Sequence, residues 1–149
     1  MTVLRVLMIS FIKNLYKTLP LHISRPWWIN CLLIFSVYMS IIYLPWDIFI
    51  KPLNEDQEVW FGILFTGWPA KIGALLHWLV YAFAMAGFAG MKRWIQPWAS
   101  LYLVQIAYGM AYWGFTDERG SGSIATAAVS LIFLLLAYNL WRRRNLFKN

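Results

Sequence analysis

Residues Trp27 to Trp46 read WWINCLLIFSVYMSIIYLPW, a run of 20 positions without a charge and closed at both ends by tryptophan. A helix rising about 1.5 Å per residue covers, over that length, the roughly 30 Å of a bilayer's hydrocarbon core. The stretches Ile72 to Met91 and Trp94 to Phe115 are equally free of charge, and a fourth apolar run extends from Ile124 to Trp141. Aromatic residues stand at their ends as interfacial anchors: Trp27, Trp28, Trp46, Trp94, Trp98, Tyr112, Trp113 and Trp141. The expected fold is therefore an all-α membrane protein, a four-helix transmembrane bundle in one domain (27–46, 72–91, 94–115, 124–141).

Composition agrees. The 149 residues are 61% hydrophobic and only 13% charged, against about 25% charge in a soluble domain, too little to coat a water-exposed surface. The single cysteine, Cys31, excludes an intrachain disulfide, a cysteine zinc site and a CxxC redox pair. His22, outside the spans, offers no second axial ligand to pair with His77, so haem is not expected and no cofactor is implied.

The charges sort by side. Arg5, Lys13, Lys17, Arg25, Lys92, Arg93, Arg142, Arg143, Arg144 and Lys148 are ten of the 13 basic residues and fall on one side, with none of the six acids. Both termini are thus expected in the cytoplasm, in a bacterial inner membrane or one of endoplasmic-reticulum type. The net charge of +7 reads as a topology and lipid-headgroup signal, with membrane lipids as partners and no nucleic acid. In residues 1–24, Leu4, Met8, Phe11, Ile12, Leu15 and Leu19 share one helical face and Lys13 and Lys17 another. That pattern predicts an amphipathic helix on the cytoplasmic leaflet, serving as an anchor for the first span or as a partner-binding element. Residues 145–149 form a short basic tail.

The connection from Asp47 to Lys71 carries more than linker. Asn54 with Gln57 three positions on has the form of a capping box, and Glu55 and Asp56 suit the positive end of a helix dipole. A short helix is expected to start there. The apolar segment Val59 to Phe65 that continues it, too short to span, would lie in the interface or cover the bundle as a lid until Gly67 and Pro69 break it. The connection Thr116 to Ser123 reads as a tight Gly-Ser turn.

Polar residues within the spans mark where a site can be. His77 shares a face with Gly73, Val80, Ala84 and Gly87, so it points into the bundle, either as a hydrogen-bonded neutral imidazole or as a ligand contact. On the third span Ser100, Val104, Ala107, Ala111 and Gly114 form a packing edge. Leu101, Gln105, Tyr108 and Tyr112 form a second stripe, either interhelical glue or the wall of a cavity for a flat apolar ligand with one polar group. Helices joined by the short Lys92-Arg93 turn are expected to pack as close antiparallel neighbours, placing His77, Gln105, Tyr108 and Tyr112 around one cavity. Trp60 from the covering segment and Asp47 at the outer end of the first span complete the candidate ligand-binding set, although an acid in Asp47's position also suits a solvated helix terminus. No metal site, nucleophile elbow, HExxH, P-loop or Rossmann pattern is present, and no carboxylate is expected inside the bundle.

The stretches His77 to Phe83 (HWLVYAF), Gln105 to Gly109 (QIAYG) with Tyr112, and Thr116 to Gly120 (TDERG) resemble the emopamil-binding, or EXPERA, superfamily over roughly residues 30–140. That resemblance implies a four- or five-helix membrane protein binding sterols and lipophilic cations, some members of which isomerise a sterol double bond with a histidine and carboxylates. The place of the family's second-span carboxylate falls here near Phe65, so the resemblance implies binding without the acid. Three readings follow: a non-catalytic binder of a small lipophilic ligand, an accessory or assembly subunit with a membrane-protein partner or a second copy of itself, and a sterol-isomerase-type membrane enzyme.

Overall fold

In the computed structural model, which describes residues 25–117 and 123–148, the chain is mostly helical. Four long helices follow one another: α1 (Trp27–Phe49), α2 (Trp68–Ala89), α3 (Trp98–Thr116) and α4 (Ser123–Arg142). α1, α2 and α4 are long and apolar enough to cross a membrane, and their outward side chains include Ile34, Ile41, Ile42, Leu79, Phe83, Leu131 and Leu135. So wide an apolar exterior has no place in water and identifies a helical membrane protein. α3, 19 residues long, carries Ser100, Gln105 and Thr116 among its aromatics. The expected amphipathic helix of residues 1–24 and the centre of the Gly-Ser turn lie outside the described residues.

The helices associate in pairs, α1 with α2 and α3 with α4. Gly114 makes the second pair possible, because a Cβ there would meet Thr126 Oγ1 at 2.0 Å. The close antiparallel packing expected of α2 and α3 does not occur: their backbones stay apart, with bulky side chains such as Tyr81 and Tyr102 edge to face between them at 5.8 Å. The two pairs are joined at the end that holds the α2–α3 connection and the C-terminus of α4, by a core of Ile29, Phe88, Met91, Ile95, Leu103, Ala137, Leu140 and Phe147. The turn Arg144–Leu146 carries Phe147 back to Phe88, with ring centres 6.2 Å apart. At the same end Arg25 donates to Asn30 Oδ1 (2.9 Å) and to the Ala89 carbonyl (2.6 Å), supplying a cation to the C-terminus of α2.

α1 is irregular for a stated reason. Pro45 has no N–H to give, and its ring would press on the carbonyl one turn back. The helix widens to π geometry over Met39–Tyr43, with the Leu44 N–H donating to the Met39 carbonyl. In that register the Ser40 carbonyl would need the N–H that Pro45 lacks, and the Trp78 indole on α2 supplies it instead at 2.8 Å. Sequence thus opens α1 at the depth where α2 can tie to it.

Between α1 and α2 the expected short helix is replaced by a β-hairpin. Only one 3₁₀ turn, Leu53–Glu55, precedes it; then β1 (Gln57–Trp60) pairs antiparallel with β2 (Ile63–Thr66), Glu58 opposite Phe65 and Trp60 opposite Ile63. Phe61 and Gly62 make the two-residue loop with φ of 52° and 81°, both positive as the twist of a tight hairpin requires. The flanks are rich in β-branched and aromatic residues, and the Gly67 N–H closes the base on the Asp56 carbonyl at 3.2 Å. Turn chemistry therefore overrode the capping box.

Candidate functional site

Because the helix pairs splay apart on the hairpin side, a partly open cavity of about 350 Å³ remains between them. The π segment of α1 (Met39, Tyr43), β1 (Glu58, Val59), α2 (His77, Tyr81), α3 and α4 (Thr126, Val129) all contribute to its wall. The α3 contribution is Tyr102, Gln105, Ile106, Gly109, Met110, Trp113 and Gly114. It lies near the small end of the range of about 300–1,000 Å³ for small-molecule pockets.

The polar centre is built where two periodicities meet. Glu58 and Trp60, two apart on a strand, face the same way. Gly73 and His77, four apart on α2, do likewise. Gly73 leaves room for the Trp60 indole, whose Nε1 would lie 2.7 Å from a Cβ at that position. The indole then stacks on the His77 ring at 4.1 Å and 15°, and His77 Nδ1 lies 3.2 Å from Glu58 Oε2, the distance of an N–H donating to a carboxylate. Tyr81 and Tyr102 stand 6.5 and 6.0 Å from the imidazole, ring centre to ring centre. With Nδ1 engaged, Nε2 is the histidine nitrogen left for a ligand. The Gln105 side-chain oxygen is buried without a hydrogen-bond partner among the described residues.

The carboxylate corrects the expectation that none reaches the interior. It is that of Glu58 and enters from a strand rather than from a helix. His77 is paired with this carboxylate instead of with a hydroxyl or carbonyl of a neighbouring helix.

The other expected site residues divide. His77 and Gln105 line the cavity together. Trp60 stands behind His77 as its stacking partner, outside the lining, with its Nε1 buried and without a hydrogen-bond partner among the described residues. Tyr108 and Tyr112, 54% and 46% exposed, do not line it. Tyr112 instead sits under the hairpin tip, where a Cβ on Gly62 would meet its ring at 2.1 Å, and Tyr108 packs near it with ring centres 6.1 Å apart. At 3.6 residues per turn the face that does line the cavity, Tyr102, Ile106, Gly109 and Trp113, is turned roughly 100° from the expected stripe, with Gln105 on the border of the two. Its four-three-four spacing was as regular a signal as the one followed.

Asp47 is neither a cavity residue nor a solvated terminus. It is 2% exposed and belongs to an ionic cluster at the hairpin base, with Lys51 Nζ 3.0 Å from Asp47 Oδ1 and 3.2 Å from Asp56 Oδ1, and Lys71 Nζ 3.1 Å from Asp56 Oδ2. Lys71 also donates to the Asp47 and Lys51 carbonyls. Burial pushes the Lys51 ammonium down, but its hydrogen bonds to Asp47 and Asp56 outweigh this and hold it above its ordinary value. The cluster fastens the end of α1 and the start of α2 to the hairpin, and so fixes where Glu58 enters. No family model, curated protein or solved structure matches the chain.

Proposed function

We propose that the protein is a four-span bundle with both termini cytoplasmic that binds a small lipophilic molecule, bearing one polar or cationic end, in the cavity under the hairpin. The observation that carries this reading is a mostly apolar cavity whose wall holds the Glu58–His77 pair and the unpartnered Gln105 oxygen. Aromatic walls from Tyr81, Tyr102 and Trp113 suit a sterol-like ring system or a lipophilic cation. The Glu58–His77 pair and Gln105 offer the hydrogen bonds that would orient its polar end. This agrees with the resemblance to the emopamil-binding superfamily, which we keep as a proposal.

The topology has its own test. In a Cys31→Ala background, cysteines placed at the exposed positions Asn54 and Arg142 should be labelled by an impermeant maleimide from opposite sides of the membrane, Arg142 from the cytoplasm. Labelling of both from one side would mean that α3 does not cross.

For the cavity, the full chain in nanodiscs is titrated with dehydroergosterol, followed by energy transfer from tryptophan, and with tetraphenylphosphonium as competitor. Saturable binding is expected. Gln105→Leu and His77→Phe should each weaken it up to about tenfold, the worth of one hydrogen bond, whereas Tyr108→Ala on the outer surface should leave it unchanged. Absence of saturable binding, or equal loss in all three variants, rejects the reading. A second reading, an enzyme that shifts a sterol double bond, is favoured by the Glu58–His77 pair, since a carboxylate holding an imidazole is an arrangement able to take and return a proton. Turnover abolished by Glu58→Gln with binding retained would select it.

A further inference from the structure

At the end of the molecule away from the hairpin, a groove of about 530 Å³ runs between the α2–α3 connection and the end of α4, lined by Arg93, Gln96, Pro97, Trp141, Arg144 and Lys148, among others. Three of these are cations, and none forms an ion pair among the described residues. The acids among the described residues, Asp47, Glu55, Asp56, Glu58 and Asp117, lie toward the opposite end. Like charges gathered beside an apolar bundle repel unless an anion joins them.

Two further features lie at the wall of the same groove. Ser100 Oγ donates to Gln96 Oε1 at 3.2 Å, which fixes that amide and leaves Nε2 as its donor; Nε2 is buried without an acceptor among the described residues. α3 begins directly after Gln96 and Pro97, with no side-chain cap and no acid in its first turn, so its free N–H groups add positive potential there. Arg144 lies over the Trp141 indole at 5.0 Å, which restricts its guanidinium. From Trp141 an exposed apolar face continues along α4 through Tyr138, Leu134 and Leu131, spaced three and four apart.

We infer that this groove is a headgroup site for an anionic phospholipid: Arg93, Arg144, Lys148 and Gln96 Nε2 receive the phosphate, and the acyl chains lie on the α4 face below Trp141. Guanidinium groups suit phosphate oxygens through paired N–H donors, and tryptophan suits the headgroup level. The site is independent of the cavity and of what that cavity binds.

Native mass spectrometry of the full chain tests it, using phosphatidylglycerol and phosphatidylcholine with identical acyl chains. Phosphatidylglycerol should be retained several-fold over phosphatidylcholine. R93Q/R144Q should lose that preference, while R142Q/R143Q, which removes equal charge at the same end outside the lining, should keep it. Gln96→Glu, which leaves every cation in place, should also reduce retention. If inorganic phosphate displaces phosphatidylglycerol, the phosphate group itself is what the groove recognises, and a free phosphate compound becomes an equal source. Equal retention of the two lipids, or equal losses in the two double variants, would overturn the site and leave only a diffuse basic rim.

Discussion

Replacing Asp56 by Ala is expected to lower stability by about 3 kcal/mol, the low end for removing one partner of a buried ion pair. Asp56 is 0% exposed and faces two ammonium groups at 3.1 and 3.2 Å. Without it Lys51 keeps Asp47, but Lys71 retains only backbone carbonyls. The estimate is low because both lysines keep some solvent contact, which moderates the loss. The readout is the equilibrium unfolding midpoint in mixed micelles. Adding Lys71→Met should recover part of the loss by removing the stranded charge, and a loss under about 1 kcal/mol in the single variant would show that the cluster does not hold the hairpin. The Lys51 contribution has a definite pH sense. Its ammonium is held above the ordinary 10.5, so the stabilisation is complete below that pH and is lost as pH rises through the higher folded value.

Gly62→Ala should cost about 2–5 kcal/mol, from two separable causes. At φ 81° an L-residue is strained by about 1–2 kcal/mol, and the new methyl would meet the Tyr112 ring at 2.1 Å, an overpacking worth about 1–3 kcal/mol. A double-mutant cycle separates them: Tyr112→Ala should restore the steric part in the Gly62→Ala background and leave the backbone part. Additive losses would mean that the tip does not rest on Tyr112. Because the hairpin delivers Glu58, dehydroergosterol binding should weaken in the single variant and recover in part with the double.

The hairpin shows why a local signal can be read two ways. Asn54 to Gln57 has the spacing of a helix cap, and Val59 to Phe65 is continuously apolar, which strands and helices share. What decides is Gly62, which takes positive φ without a Cβ penalty, together with the aromatic and β-branched flanks, whose pairing holds Phe61 at a positive φ as well. Glu58 was missed with it, because a carboxylate in a connecting segment reads as solvated until the strand turns it toward His77. The stripe on α3 failed for a different reason. Both faces of that helix are aromatic and regular, so periodicity alone could not say which one meets the cavity.

The sequence by itself determined the apolar helices that make this a membrane protein, with anchors at their ends, the inward face of α2 with Gly73, His77 and Gly87, and a polar Gln105 in need of company. These follow from length, hydropathy and helical spacing, which are local properties. Only the tertiary structure decided that α1 pairs with α2 and α3 with α4, that the space between the pairs is a cavity, that Tyr108 and Tyr112 face away from it, and that Asp47 and Asp56 are buried with lysines. The physical reason is that pairing depends on where small residues such as Gly114 let two backbones approach, and a buried charge depends on partners brought from Lys51 and Lys71, 20 residues apart in the chain.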